Sequence, residues 1–148
     1  MPPKQRRHRP LVMVIDESRH TRNALRFYLS NAGYDVEEAA NNHAAVERAA
    51  GDAPDLILID LNMPGSSGVL ATQRLRGAPL LSGVPVVACA GPDSQAYRDA
   101  ARVAGADAYV TKPFNPAVLL PVVKSLLNRG RMGVLPSSDV TQLATMVL

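Results

Sequence analysis

The sequence contains a single cysteine, Cys89, among its 148 residues. One thiol cannot form an intramolecular disulfide, and it excludes a metal site built from several thiolates. The chain also lacks any apolar run close to the roughly 20 residues that a membrane-spanning helix needs. Its basic N-terminus is not followed by a signal-type apolar segment with a cleavage site. These absences predict a soluble cytoplasmic protein without a membrane span.

Acidic residues are missing from the first ten positions, which carry Lys4, Arg6, Arg7 and Arg9. The formal net charge of +3 would be −1 without these four side chains, so the basicity belongs to the end of the chain. We interpret residues 1–10 as a disordered, solubilising tail. Contact of this tail with the phosphates of nucleic acid or of a membrane surface is the alternative.

The composition of the chain is that of a globular protein, with 47% apolar and 20% charged residues. Apolar runs recur at a regular spacing, each followed by a helix-length segment, and they begin near Leu11, Tyr34, Leu56, Val84 and Ala108. This alternation predicts a parallel sheet with helices on both faces. The second run contains three acidic residues, which predicts a strand at the edge of the sheet.

Capping residues mark the predicted ends of the helices. The predicted starts are Ser18, Asn41 or Asn42, Ser66 or Ser67, the Pro92-Asp93 pair and Pro116, and the predicted ends are near Ala32, Ala50, Arg76, Ala104 and Leu127. Residues 130–148 differ from the repeating part, because Gly130, Gly133 and Pro136 predict a linker. A short amphipathic helix is predicted after it, packed on its own domain or on a partner, with disorder as the alternative.

Polar residues lie at the predicted carboxyl ends of the strands. Asp16 and Glu17 follow the first strand, Asp60 ends the third, and Lys112 follows the fifth. These ends converge on one crevice in a doubly wound sheet, where clustered carboxylates repel each other unless Mg²⁺ joins them. Lys112 suits a phosphoryl group, and a carboxylate beside it can attack phosphorus and form an acyl phosphate. Taken alone, Asp60 is equally compatible with a structural turn residue.

Three motifs occur in order: Asp16-Glu17, Asp60-Leu61-Asn62-Met63-Pro64-Gly65 and Tyr109-Val110-Thr111-Lys112-Pro113-Phe114. Together with the five predicted strand–helix units, they resemble a response-regulator receiver domain of the CheY type over residues 11–129. The resemblance implies an α/β, flavodoxin-like (βα)5 fold, a doubly wound parallel five-stranded sheet in the order 2-1-3-4-5, here with a short C-terminal helical extension. It also implies a two-component phosphorelay, in which a histidine kinase or phosphotransfer protein donates the phosphoryl group.

The resemblance further implies roles for the matching residues. Asp60 would be the phosphoacceptor, and Asp16, Glu17, Asp60 and the backbone carbonyl of Asn62 would hold Mg²⁺. The phosphoryl group would contact Lys112 and Asn62. The Lys112-Pro113 peptide bond would be cis.

Tyr109 would be the switch aromatic on the face formed by the fourth helix, fifth strand and fifth helix, where a downstream protein target would bind. Packing in the core is the alternative for Tyr109.

Two residues depart from the family pattern. Ala90 stands where the family has Thr or Ser, and it cannot donate a hydrogen bond. We expect phosphorylation to persist, with the Gly91 N–H as a replacement donor and with weakened coupling to Tyr109. Cys89 should point to the opposite face of the sheet. Glu17 stands where the family usually has Asp, which predicts a water-mediated contact with Mg²⁺.

The main hypothesis is therefore a phosphoacceptor module that signals through a partner protein and is not otherwise an enzyme. No DNA-binding domain is expected in residues after 130, and a homodimer is compatible with the resemblance. The alternative is a pseudo-receiver that binds proteins and has lost the switch, which Ala90 favours. A phosphatase with an aspartate nucleophile is disfavoured, because that chemistry usually needs a second carboxylate where Asn62 stands.

Overall fold

The computed structural model describes residues 9–62 and 68–132, in which strands and helices alternate strictly. The elements are β1 (Leu11–Ile15), α1 (Arg19–Asn31), β2 (Asp35–Ala39), α2 (Asn42–Gly51), β3 (Leu56–Asp60), α3 (Gly68–Gly77), β4 (Val86–Ala90), α4 (Gln95–Ala104), β5 (Ala108–Thr111) and α5 (Pro116–Met132). Every strand of the prediction is present. The predicted fold class is confirmed.

All strand pairs of the sheet are parallel, and the strand order is β2-β1-β3-β4-β5. The three central strands are buried along their whole length, which is why their sequences are continuous apolar runs. The acidic strand β2 lies at the edge, as predicted, and it is only partly buried. This order brings the carboxyl ends of β1 and β3, and of β4 beside them, to one side of the sheet.

The two faces of the sheet carry separate apolar cores, because successive strand residues point to opposite faces. One core joins Met13, Ile15, Ile57 and Ile59 to buried residues of α2, α3 and α4. The other joins alternate strand residues, including Cys89, to buried leucines and valines of α1 and α5. The prediction of helices on both faces is confirmed.

The helix caps were predicted correctly at α1 and α2 but not at α4. The Ser18 hydroxyl accepts the Thr21 N–H, and Asn41 accepts the Ala44 N–H. The predicted start of α4 at Pro92-Asp93 is wrong: the helix begins at Gln95, after the N-cap Ser94. Ser94 accepts the Tyr97 N–H, whereas the Asp93 carboxylate pairs with Arg98 and is not free to cap.

The predicted end of α5 near Leu127 is also wrong, because the helix continues to Met132. The segment predicted as a linker from residue 130 therefore begins with helix. Apolar residues Leu126 and Leu127 are buried in the core, so tertiary packing holds the helix where the prediction ended it. The predicted caps Ser66 and Ser67 and the predicted C-terminal helix lie outside the described residues.

Arg9 is not part of a disordered tail, in contrast to the prediction. Its guanidinium donates hydrogen bonds to the carbonyls of Ser30, Gly33 and Tyr34 at 2.9 to 3.1 Å. Carbonyls at a helix C-terminus lack partners within the helix, and a guanidinium with five N–H donors satisfies several of them at once. The described part of the chain contains no helix with both the length and the apolar character that crossing a bilayer requires.

Candidate functional site

Two carboxylates and one ammonium meet at the carboxyl edge of the sheet. Asp60 is the last residue of β3, Asp16 follows β1 directly, and Lys112 follows β5. Lys112 Nζ lies 3.0 Å from Asp16 Oδ2 and 3.0 Å from Asp60 Oδ1. The Asp16 and Asp60 side chains are only 4% and 7% exposed. The structure thus brings together three of the residues that the sequence predicted to converge.

The charge balance of this group is uneven, since two nearly buried carboxylates share one cation. Burial by itself would lower the pKa of Lys112, but the hydrogen bonds and charges of Asp16 and Asp60 outweigh burial, and the pKa is raised. Lys112 is therefore held firmly as an ammonium. The group carries a net charge of about −1, so a further cation would be attracted to it.

Backbone N–H groups two residues along the chain orient both carboxylates. The Ser18 N–H donates to Asp16 Oδ1, and the Asn62 N–H donates to Asp60 Oδ1, each at 2.9 Å. Such local turns are typical of Asp, whose short side chain reaches the backbone two residues on. They hold the carboxylates at the strand ends without an additional side chain.

Glu17 is not part of this convergence, in contrast to the prediction that three carboxylates meet. Glu17 is exposed to solvent, because it lies directly before the Ser18 cap of α1. Among residues 9–62 and 68–132, no group of three His, Cys, Asp or Glu side chains is close enough to hold a metal ion. Of the three acidic residues predicted to converge at this edge, Asp16 and Asp60 do so.

Arg22 supports the loop between β1 and α1, and sequence reasoning missed it. Its Nη1 donates to the carbonyls of Asp16 at 2.6 Å and Glu17 at 3.1 Å, and its Nε pairs with Glu38 at 3.3 Å. An arginine one turn into a helix is ordinarily a solvated residue, so the sequence offers no signal for this role. The guanidinium fixes the backbone that carries Asp16.

The end of β4 lies beside the site and contains no hydroxyl side chain. Ala90 is fully buried and packs in the core that contains Tyr109, whereas Cys89 packs on the opposite face, as predicted. Burial raises the pKa of the Cys89 thiol. Gly91 follows, and a Cβ built there would lie 2.8 Å from Lys112 Cβ and 3.0 Å from the Lys112 carbonyl oxygen. Glycine is needed because Lys112 passes too close for any side chain.

The Asn62 amide connects the strand ends to α4, a contact that sequence reasoning missed. Asn62 Oδ1 accepts the Gly91 N–H at 3.0 Å, and Asn62 Nδ2 donates to the Tyr97 hydroxyl at 2.6 Å. The available signal was the spacing of Tyr97 with the inward-facing Ala101 and Ala104, which places its ring on the buried side of α4.

Tyr109 lies in the core behind the site. It is 1% exposed, and its hydroxyl has no hydrogen-bond partner among the described residues. The guanidinium carbon of Arg98 lies 5.1 Å from the centre of its ring. Burial, together with the charge of Asp93, raises the pKa of Tyr109. The Lys112-Pro113 peptide bond is cis, as the resemblance implies.

Comparisons with known proteins agree with this fold. A family model, the response regulator receiver domain, matches residues 12–124. The chain is 36% identical to the response regulator MprA of Mycobacterium tuberculosis over 118 residues. These residues make up 80% of this chain and 50% of MprA. It is 33% identical over 118 residues to the transcriptional regulatory protein ResD of Bacillus subtilis, with 80% and 48% covered.

A solved structure shows the same architecture. The chemotaxis protein CheY4 of Vibrio cholerae superposes with a TM-score of 0.75 at 28% identity, over 80% of this chain and 98% of CheY4. The chain spans about half the length of the curated relatives named above. By its family model, its relatives and its fold, the chain belongs to the response-regulator receiver domains of two-component systems.

Proposed function

We propose that Asp60 accepts a phosphoryl group from a histidine kinase or a phosphotransfer protein, in the presence of Mg²⁺. The observation that supports this most directly is the position of Lys112 Nζ, 3.0 Å from both Asp16 Oδ2 and Asp60 Oδ1. An ion pair of one acid and one base carries no net charge. Here the second carboxylate leaves negative charge at the edge of a crevice where strand ends meet, which favours a cationic ligand.

Mg²⁺ fits the donors that are present. It prefers carboxylate and carbonyl oxygens and retains several waters, so Asp16, Asp60 and the backbone carbonyl of Asn62 would hold it. Glu17 would contribute through a water molecule, given its exposure. When bound, the ion would neutralise the charge on the oxygens of the transferred phosphoryl group.

The transfer itself uses few groups of the protein. A carboxylate oxygen of Asp60 forms a bond to phosphorus, and the bond from phosphorus to one ring nitrogen of the donor's phosphohistidine breaks. That nitrogen keeps the electron pair, and because the other ring nitrogen carries a proton, the imidazole leaves as the neutral base. The Lys112 ammonium and the Gly91 N–H would bind phosphoryl oxygens. Hydrolysis of the resulting acyl phosphate resets the site. The domain is a signalling module, and this chemistry at Asp60 is its only reaction in the proposal.

Signalling would proceed through a partner protein that binds the face formed by α4, β5 and α5. The residues that support this are Tyr109, packed behind the site, and Arg98, which covers its ring on α4.

Incubation with acetyl phosphate and Mg²⁺, followed by intact mass measurement, tests the proposal. We expect a mass increase of about 80 Da, one phosphoryl group, in the unmodified sequence and none in Asp60→Asn. Asp35→Asn is the matched control, because Asp35 is a half-exposed carboxylate on β2, away from the site. Absence of the adduct in the unmodified sequence, or its persistence in Asp60→Asn, would contradict the proposal.

A second candidate function is a pseudo-receiver, a protein-binding module in which the switch is lost. Ala90 favours it, because its methyl group cannot bind a phosphoryl oxygen. This candidate predicts no adduct and no Mg²⁺ binding under the same conditions. Magnesium binding by the unmodified sequence that is lost in Asp16→Asn would argue against it.

A further inference from the structure

Asn62 makes hydrogen bonds to three different parts of the site. Its backbone N–H donates to Asp60 Oδ1 at 2.9 Å, its Oδ1 accepts the Gly91 N–H at 3.0 Å, and its Nδ2 donates to Tyr97 Oη at 2.6 Å. Because a backbone N–H can only donate, the amide oxygen has to face Gly91, and the amide nitrogen therefore faces Tyr97. The Asn62 side chain thus bridges the end of β4 and the first turn of α4.

The Gly91 N–H is the donor that a phosphoryl group on Asp60 would require. Ala90 beside it has no polar side-chain atom, and Asn62 Oδ1 already accepts from Gly91. Hydrogen bonds to a charged phosphoryl oxygen are roughly twice as strong as those to a neutral amide oxygen. The phosphoryl group is therefore expected to take the Gly91 N–H from Asn62.

The first turn of α4 also contacts β5. Arg98 follows Tyr97 in sequence, and its guanidinium lies over the Tyr109 ring, 5.1 Å from the centre. Arg98 is oriented by two 3.0 Å hydrogen bonds to Asp93, and the pairing lowers the pKa of Asp93. A change at Tyr97 consequently acts on the neighbouring residue that covers Tyr109.

We propose that Tyr97 is a positioning residue for Asn62, and that the Asn62–Tyr97 hydrogen bond couples the phosphoryl pocket to α4 in place of a strand-end hydroxyl. This inference rests on the proposed function, because it needs a phosphoryl group on Asp60. When the Gly91 N–H donates to the phosphoryl oxygen, Asn62 Oδ1 loses the hydrogen bond that orients its amide. The hydrogen bond from Asn62 Nδ2 to Tyr97 then breaks. The first turn of α4 then loses a contact on the side where Arg98 meets Tyr109.

The test compares Tyr97→Phe, which removes the hydroxyl and keeps the ring, with Tyr28→Phe on α1 as the matched control. The probe is beryllium fluoride with Mg²⁺, because it occupies a carboxylate as a phosphoryl group does without a transfer step. If the hydrogen bond exists only in the free protein, Tyr97→Phe should bind the probe about fivefold more tightly, the factor that corresponds to one net hydrogen bond. Tyr28→Phe should match the unmodified sequence. An affinity of Tyr97→Phe that is unchanged within twofold, or weaker, overturns the inference.

A second measurement uses the unmodified sequence and does not depend on the folding of a variant. Nuclear magnetic resonance signals of the Asn62 side-chain amide and of the backbone amides of residues 95–98 should shift when the probe binds. If the probe binds and these signals stay in place, the inference is overturned while the proposed function stands. If the probe binds neither the unmodified sequence nor Asp60→Asn, the proposed function fails, and the inference fails with it.

Discussion

Partly buried ion pairs lie at both ends of the parallel strands, at the carboxyl edge that holds the candidate site and at the opposite, amino edge. The two differ in the ratio of acids to bases. At the amino edge, Arg76 of α3 pairs with Asp107, which precedes β5, and Asp107 also accepts the Val86 N–H at 2.8 Å. Arg76 further donates to the carbonyls of Gly105 at 2.9 Å and Val84 at 2.7 Å. One base meets one acid there, and both side chains also form hydrogen bonds with the backbone.

The carboxyl edge contains the same chemical groups in a different ratio. Lys112 serves both Asp16 and Asp60, whose side chains are more deeply buried than Asp107, at 4% and 7% exposed against 27%. A matched pair with satisfied hydrogen bonds holds elements together, whereas an unmatched carboxylate in low dielectric attracts a ligand. The ratio of acids to bases and the burial of the carboxylates, rather than the residue types, therefore distinguish a structural ion pair from a candidate site.

The largest effect is expected for Lys112→Met, a substitution that keeps an unbranched side chain one atom shorter than that of lysine and removes its charge. Phosphoryl transfer to Asp60 from acetyl phosphate is expected to slow by about 100-fold or more, because a preorganised charge at the transferred group is lost. The rate of adduct formation by mass spectrometry measures this effect. Lys124→Met, at an exposed position on α5, is the control and should react at the unmodified rate. A Lys112→Met rate within threefold of the control would show that Lys112 does not act on the phosphoryl group.

Arg76→Met should destabilise the amino edge of the sheet and leave phosphoryl transfer to Asp60 unchanged. It leaves Asp107 without its cation and removes hydrogen bonds to three backbone carbonyls, those of Ser82, Val84 and Gly105, so the free energy of unfolding should fall by about 2–4 kcal/mol. Urea unfolding measures the change, and Arg74→Met, exposed on the same helix, is the control. Below the unfolding transition the variant should form the adduct at Asp60 at the unmodified rate. A stable Arg76→Met that fails to react would mean that the two edges are coupled.

The fold could be predicted from the sequence because its signals are local. Five apolar runs separated by helix-length segments determine five βα units, and acidic β2 could only lie at the edge. Helix ends were less certain. Asp93 and Ser94 are both good N-caps, and Ser94 caps α4 because Asp93 pairs instead with Arg98, whose guanidinium also lies over Tyr109. Gly130, which by itself signals a linker, likewise lies inside α5.

Part of the site could be predicted for the same reason, since Asp60 is the last residue of a strand and Asp16 and Lys112 each follow one directly. The orientation of Glu17 was not predictable, because one residue beyond the strand the start of α1 decides which way a side chain points. The Asn62–Tyr97 hydrogen bond joins residues 35 positions apart and depends on how α4 lies over the strand ends. No periodicity or motif specifies that distance.

Gly91→Ala tests how tightly the carboxyl edge is packed. The new methyl group would lie 2.8 Å from Lys112 Cβ and 3.0 Å from the Lys112 carbonyl oxygen, and neither is the movable end of a side chain. We expect a loss of about 1–3 kcal/mol in the free energy of unfolding, with slower phosphorylation because Lys112 is displaced. Gly83→Ala, in the loop before β4 at the other edge, is the control, since nothing lies within 4 Å of its Cβ. Equal stability of the two variants would contradict the close approach at Gly91.

The smallest expected effect is a loss of stability at alkaline pH, which also arises at the carboxyl edge. The pKa values of Cys89 and Lys112 are both raised in the folded protein, Cys89 by burial and Lys112 because its bonds to Asp16 and Asp60 outweigh burial. A raised pKa means that folding favours the protonated form. The resulting stability is fully present below the ordinary pKa values of 9.0 and 10.5 and is lost as the pH rises above them.

Urea unfolding should therefore show a free energy of unfolding that declines above about pH 9. Cys89→Ala should remove the first part of this decline, because the alanine has no thiol to ionise in the unfolded chain, and leave the part above about pH 10, to which the raised pKa values of Tyr109 and Lys112 contribute. An identical decline in Cys89→Ala would mean that the buried thiol is not its source.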